Sequence, residues 1–222
     1  MLAKLNKMEF SYKFNSEHLK YVYDQVWECR GNISVYSKLS EFEHKQVAKY
    51  IDKPKKVLDL GCGLGRAAIY LNYVLNDPNI HFILADTTGD TKITGVWDTP
   101  EYYNNLSLTE SFAKLNGLTN FETFDILKDD WNKLSDIDLI ISHCSVGMHF
   151  PIEDVMPKLL KISTDTCTMI FGTTTAQMLP GKKEQKYSEK SFTDIFKEVH
   201  FQHEARVHPF PQQDWLVLKN KI

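Results

Sequence analysis

The stretch KVLDLGCGLGRAA, residues 56–68, decides the fold. Its first part, KVLDL, is a short apolar run ending at a glycine turn, the pattern of a buried strand. The residues GRAAIYLNYVL at 65–75 then carry a helical apolar period. Between strand and helix lie Gly61, Gly63 and Gly65. Glycines suit a backbone that turns sharply after a strand and lets a ligand come close. The helix that follows presents free N–H groups and the positive end of its dipole.

Outward from this turn, strand and helix patterns alternate. IHFILAD (80–86), NFETFDI (120–126), DIDLIIS (136–142) and TCTMIFGTTT (166–175) read as the second to fifth strands. Helices are expected over 107–117, 151–163 and 188–200, with Pro157 starting or kinking the second. Ser107 and Glu110 have the spacing of a capping box, and Gly117 suits a helix C-terminus. QHEARVHPF and QDWLVLKNK read as a closing pair of strands. Upstream, SEHLKYVYDQVWECR (16–30) places Leu19, Val22, Tyr23, Val26 and Trp27 on one helical face. LSEFEHKQVAKYI opens with a second capping-box pair, Ser40 and Glu43, and Pro54 stops its helix. Alternating strands and helices imply an α/β fold, a mainly parallel sheet covered on both faces. Ligands in such sheets bind beyond the carboxyl ends of the strands. A hairpin at the end of the chain would add one antiparallel strand.

Bulk properties narrow the function. The chain has 222 residues, enough for one domain with an elaboration, and 42% are hydrophobic. Lys and Arg number 26 against 29 Asp and Glu, a net charge of -3. That balance argues against a nucleic-acid partner. The basic clusters KPKK (53–56) and GKKEQK (181–186) read as solvated loops. Cysteines 29, 62, 144 and 167 form no CxxC pair, so neither a zinc knuckle nor a redox motif is indicated. They read as free thiols of a reducing compartment. The segment MLAKLNKMEF lacks an apolar core, so it is not a signal peptide. No run of 18 apolar residues offers a membrane span. A soluble, cytoplasmic protein is expected.

Two cofactors are compatible with a strand, a glycine turn and a helix. A dinucleotide places its pyrophosphate at the helix N-terminus. Gly63, Gly65 and Ala68 fit its G-x-G-x-x-G/A frame, a weak match alone. Gly61 and Asp59 point elsewhere. Asp59, near the strand end, is a poor neighbour for pyrophosphate and a good one for an ammonium group. Asp86 ends the second strand, where a carboxylate can accept ribose hydroxyls with either cofactor.

With VLDLGCGLG, the acid at 86, FDIL after the third strand and DLIIS as the fourth, the sequence resembles class I S-adenosylmethionine-dependent methyltransferases over about residues 50–222. The resemblance implies a Rossmann-like seven-stranded sheet with an antiparallel last strand. It divides the chain into an N-terminal helical cap, 1–52, and a methyltransferase domain, 53–222. It also implies roles. Asp59 and the backbone of Gly61, Cys62, Gly63 and Gly65 would face the methionine part. Asp86 would hold the ribose. Asp125 and Ile126 would border the adenine, and Ser142 and His143 would lie below the methyl group. Cys62 itself reads as a small packed residue, and Arg66 as either a cofactor-orienting or a solvated side chain.

Methyl transfer from a sulfonium needs alignment and exclusion of water, and a neutral hydroxyl acceptor is helped by a general base. His143 and His149, in HCSVGMHF after the fourth strand, are the candidate bases. No metal site is expected. The Pro-Pro-aromatic motif of enzymes that methylate nucleic-acid bases is missing from SHCSVG. The twenty residues 87–106 exceed the usual ~2–6-residue loop and read as an inserted lid. Its Trp97, Tyr102 and Tyr103 are candidate substrate contacts. Arg30, about one turn from Trp27 on the N-terminal helix, is a candidate for the cofactor carboxylate. The expected activity is methylation of a small molecule at oxygen. A sugar, or a sugar-linked or phosphorylated metabolite as in bacterial surface-polysaccharide assembly, is the expected acceptor. A homodimer is compatible with this reading. The rivals are N-methylation of a small amine or a protein, NAD-linked oxidoreduction, and a non-catalytic cofactor-binding regulator or scaffold.

Overall fold

The computed structural model describes residues 10–25, 32–92, 101–143, 145–173, 187–203 and 214–222. In chain order the elements are α1 (Ser16–Gln25), α2 (Ile33–Val47), β1 (Lys56–Leu60), α3 (Arg66–Leu75), β2 (His81–Asp86), β3 (Gly89–Lys92) and β4 (Glu101–Asn104). There follow α4 (Leu106–Leu115), β5 (Phe121–Asp125), β6 (Ile137–Ser142), β7 (Ser145–Phe150), α5 (Ile152–Ile162), β8 (Ser163–Thr173), β9 (Phe196–Gln202) and β10 (Asp214–Lys221). Seven strands form one sheet in the order β5-β2-β1-β6-β8-β10-β9. β10 runs antiparallel to both its neighbours, and the pairs among β5, β2, β1, β6 and β8 are parallel. The chain therefore reverses its direction of travel across the sheet at β1, the kind of switch point beyond whose strand ends ligands bind in such sheets.

Strand alternation sorts the core into two layers. From β1, Val57 joins one apolar cluster while Leu58 and Leu60 join the other. The first cluster takes Tyr36, Leu39 and Val47 from α2, Ala68, Ile69 and Leu71 from α3, and Phe112 and Ala113 from α4. The second takes Ile152, Met156, Leu159 and Ile162 from α5. Tyr12, Tyr21 and Val22 are buried in the first cluster, so the N-terminal helices share the core of the sheet.

Three local expectations are corrected. The segment 188–200 is not a helix: turns lead into β9, whose register with β10 runs from Phe196 to Gln202. Pairing with β10 and burial of Phe196 outweigh the helical pattern. The first strand of the closing hairpin thus precedes QHEARVHPF, most of which lies outside the described residues. Neither capping box forms. α2 starts seven residues before Ser40, capped by the Asn32 side chain. α4 is capped by Asn105, whose side chain accepts the Ser107 N–H. Glu110 instead meets Lys114 one turn on. The far end of α4 follows expectation. Gly117 has φ +82°, and its N–H and that of Leu118 close a Schellman pair on Lys114 and Ala113. The insertion 87–106 contains a two-stranded ribbon, β3 with β4.

Candidate active site

The glycine loop is tied to the neighbouring strand before any ligand arrives. The N–H groups of Gly61 and Cys62 both donate to the Ala85 carbonyl, at 2.8 and 3.1 Å. Gly63 N–H donates to Asp86 Oδ2 at 2.8 Å, and Thr87 N–H to Asp86 Oδ1 at 2.7 Å. From α4, the Thr109 hydroxyl donates to the Gly63 carbonyl at 2.6 Å. Gly61, Gly63 and Gly65 all have positive φ, +73°, +54° and +79°. Gly61 is doubly constrained, because a Cβ there would fall 2.0 Å from Ser145 Oγ.

Two buried carboxylates flank this loop. Asp59 Oδ2 accepts the Ala68 N–H at 3.1 Å, so the strand caps the first turn of α3. Burial pushes the Asp59 carboxyl up to about 6, against the pull of His143 and the Ala68 N–H. Asp86 is likewise raised, by burial first, despite its two backbone N–H bonds. The helix N-terminus is already partnered by a carboxylate of the chain itself. A pyrophosphate placed there would face Asp59.

A third carboxylate organises the layer behind. Glu43 is fully buried and makes a bidentate pair with Arg66, Nη1 to Oε2 and Nη2 to Oε1, the latter at 3.0 Å. Its Oε2 also lies 3.3 Å from His143 Nδ1. Burial alone would raise this carboxyl; Arg66 and His143 together hold it at about 2. The Tyr12 hydroxyl lies 2.7 Å from both Ser40 Oγ and the Arg66 carbonyl. Because ionised Glu43 only accepts hydrogen bonds, it keeps a proton on His143 Nδ1 and makes no call on Nε2. That Nε2 is buried without a partner, and the ring packs edge-on against Trp215 at 4.9 Å.

The family model described as tellurite resistance protein TehB matches residues 36–168, more than half of the sequence. The chain belongs to the TehB family. No curated protein matches it. Among solved structures, TehB from Haemophilus influenzae superposes with a TM-score of 0.51 at 16% identity, over 81% of this chain and 62% of its own. A Nostoc punctiforme protein named as an O-methyltransferase gives 0.59 at 15%, over 88% and 60%. The plantazolicin methyltransferase BpumL, solved with S-adenosylhomocysteine and a desmethyl-plantazolicin analogue, gives 0.53 at 14%, over 93% and 92%. This TehB-family chain thus spans about three fifths of the Nostoc and Haemophilus proteins. The shared feature is the class I S-adenosylmethionine-dependent methyltransferase fold.

The residues present suit that cofactor. The loop glycines leave its approach free of side chains, and Asp86 keeps lone pairs for hydroxyl donors. The sheet brings Asp59, the loop, Asp86 and Ile126 to one end, where the Ile126 N–H donates to the Asp86 carbonyl at 3.0 Å. The Asp125 carboxylate is engaged in its own turn, by Leu127 N–H at 3.1 Å and Lys128 Nζ at 3.0 Å. Ser142 Oγ donates to the Leu60 carbonyl and accepts Val146 N–H, joining β6 to β1 and β7. Cys62 is buried, as a small packed residue should be. Arg66 is neither solvated nor free, being held by Glu43. His149 lies in β7, and Tyr102 and Tyr103 in β4. Arg30 and Trp97 lie outside the described residues. Among the described residues no group of three His, Cys, Asp or Glu is placed to hold a metal, and no helix is long and apolar enough to cross a membrane.

Sequence reading missed Glu43 and Asn104. Glu43 had a signal: it sits on the stripe Tyr36, Leu39, Ser40, Val47 that α2 buries. An acid on an apolar stripe asks for a buried cation, which Arg66 supplies.

Proposed function

We infer that the chain transfers the methyl group of S-adenosylmethionine to an oxygen atom of a small molecule. The observation that carries the reading is the meeting of Asp59, the Gly61–Gly65 turn and Asp86 at the strand ends, in a chain of the TehB family. S-adenosylmethionine supplies an activated methyl group whose leaving sulfur needs no proton. The protein's own tasks are to hold the nucleoside, align the acceptor and receive the acceptor's proton. Asp86 accepts from hydroxyls of the ribose. Asp59, ionised above about pH 6, offers negative charge to an ammonium group. Asp125 and Ile126 border the adenine, and Arg30 takes the carboxylate.

The proton acceptor is the histidine pair after β6. Glu43 gives His143 the tautomer a base requires, with the proton on Nδ1 and Nε2 left unpartnered. His149 is the second member. The insertion 87–106, with Trp97, Tyr102 and Tyr103, walls the acceptor site of a domain spanning 53–222 under a cap formed by 1–52. A sugar or phosphorylated metabolite of the cytoplasm fits an aromatic wall. The O-methyltransferase named among the solved structures supports oxygen as the target.

The test is calorimetry with S-adenosylhomocysteine, followed by a labelled-methyl screen of nucleotide-linked sugars, phosphorylated metabolites, amines and tellurite, the last prompted by the family's name. Binding with transfer to a hydroxyl is expected. Replacing both His143 and His149 by Ala should abolish transfer and spare binding, and full activity in that variant removes the base assignment. Transfer to amines alone would make it an N-methyltransferase. Binding with no transfer would leave a regulator, and no binding would refute the whole reading.

A further inference from the structure

The insertion returns to the cofactor side of the molecule. β4 ends on Asn104, whose register partner is Gly89, three residues after Asp86. The Asn104 side chain is fully buried, and neither its Nδ2 nor its Oδ1 has a hydrogen-bond partner. Its neighbour Asn105 spends its own carboxamide on the N-terminus of α4. The Asn104 amide is close enough to draw the Asp86 carboxyl down against the rise caused by burial. It makes no hydrogen bond of proper geometry to it. A buried amide with both ends unmet is rare in a native fold and calls for a missing partner. Open space lies across the ribbon from it, at Gly89. Directly opposed residues share one face of a ribbon, and a Cβ at Gly89 would meet nothing within 4 Å.

We propose that Asn104 is a specificity residue of the nucleoside subsite, gripping the vicinal diol of the cofactor's ribose together with Asp86. The proposal rests on the methyl-donor reading above. A carboxylate only accepts hydrogen bonds. Each Asp86 oxygen already takes one backbone N–H, from Gly63 or Thr87, and keeps room for one hydroxyl proton. The diol oxygens then still have lone pairs to fill, and Asp86 has no donor to offer. Asn104 Nδ2 supplies that donor, and its Oδ1 remains an acceptor at the same place. The base of the insertion thereby belongs to cofactor recognition, not to the acceptor wall.

Calorimetry with the full chain tests this, using S-adenosylhomocysteine and its 2′-deoxy and 3′-deoxy analogues. Asn104→Leu is expected to weaken S-adenosylhomocysteine by roughly tenfold or more. The analogue lacking the contacted hydroxyl should bind both proteins equally. The ligand-free melting temperature of Asn104→Leu should match or exceed that of the wild type, because two unmet polar atoms give way to an apolar group of similar size. Wild-type affinity in the variant overturns the proposal. So does an equal loss for S-adenosylhomocysteine and both analogues. If Asn104→Leu does not fold, Asn104→Ser is judged by the same ratios. Absence of binding to the wild type would refute the methyl-donor reading, whereas binding unaffected by position 104 refutes this inference alone.

Discussion

Replacing Glu43 by Gln removes the charge on which the layer behind the cofactor loop depends. Glu43 is fully buried and bridges Arg66 and His143. Its carboxyl is held at about 2, against 4.5 for a free glutamate. At about 1.4 kcal/mol per tenfold change, the difference is worth about 3 kcal/mol of folding stability. Breaking a buried ion pair by removing one partner costs about 3–5 kcal/mol, so the two figures agree. In a chain of this size each kcal/mol moves the melting temperature by ~2–4 °C. Glu43→Gln should therefore melt about 6–12 °C lower at pH 7. The pH dependence has a definite sign. Because the folded value is depressed, the contribution is complete above the unfolded value of 4.5 and is lost as pH falls towards about 2. The gap between wild type and variant should thus narrow steadily below pH 4.5. Thermal unfolding followed by circular dichroism from pH 7 to pH 2.5 measures it. A double variant, Glu43→Gln with Arg66→Met, should lose less than the sum of the single losses, since neither charge is then left alone. Equal melting temperatures, or a gap that persists unchanged to pH 2.5, would refute the argument.

Asp59 has the opposite sign. Burial raises it from 3.8 to about 6, so its penalty is absent below the unfolded value and complete above the folded one, about 3 kcal/mol. Asp59→Asn, whose amide oxygen can still accept the Ala68 N–H, should melt higher than wild type at pH 8 and equal to it at pH 3.5. It should also bind S-adenosylhomocysteine more weakly by calorimetry; unchanged affinity would count against an ammonium partner at Asp59. Gly61→Ala should cost about 2–5 kcal/mol, the sum of positive-φ strain and overpacking against Ser145. Adding Ser145→Gly should recover the overpacking part and leave about 1–2 kcal/mol, read from urea unfolding midpoints; no recovery would mean that Ser145 is not what Gly61 accommodates.

The sequence by itself determined the βα unit at 56–75, the places along the chain of the following parallel strands, and the carboxylates at their ends. These are local properties. A five-residue apolar run, a glycine where φ must be positive, and an acid at a strand terminus are visible without neighbours. Only the tertiary structure decided what each polar side chain does. Glu43 carries the spacing of a capping residue, and the fold makes it the anion for Arg66, because α2 begins at Ile33 and packs that face inward. The segment 188–200 has a helical period, and the edge of β10 draws its second half into a strand. Asp59 looks from sequence like a ligand for the cofactor. In the fold it caps α3, through a contact spanning nine residues. Asn104 carries no local signal. Its significance comes from ending a ribbon that returns to Asp86, a distance in sequence that only chain folding closes.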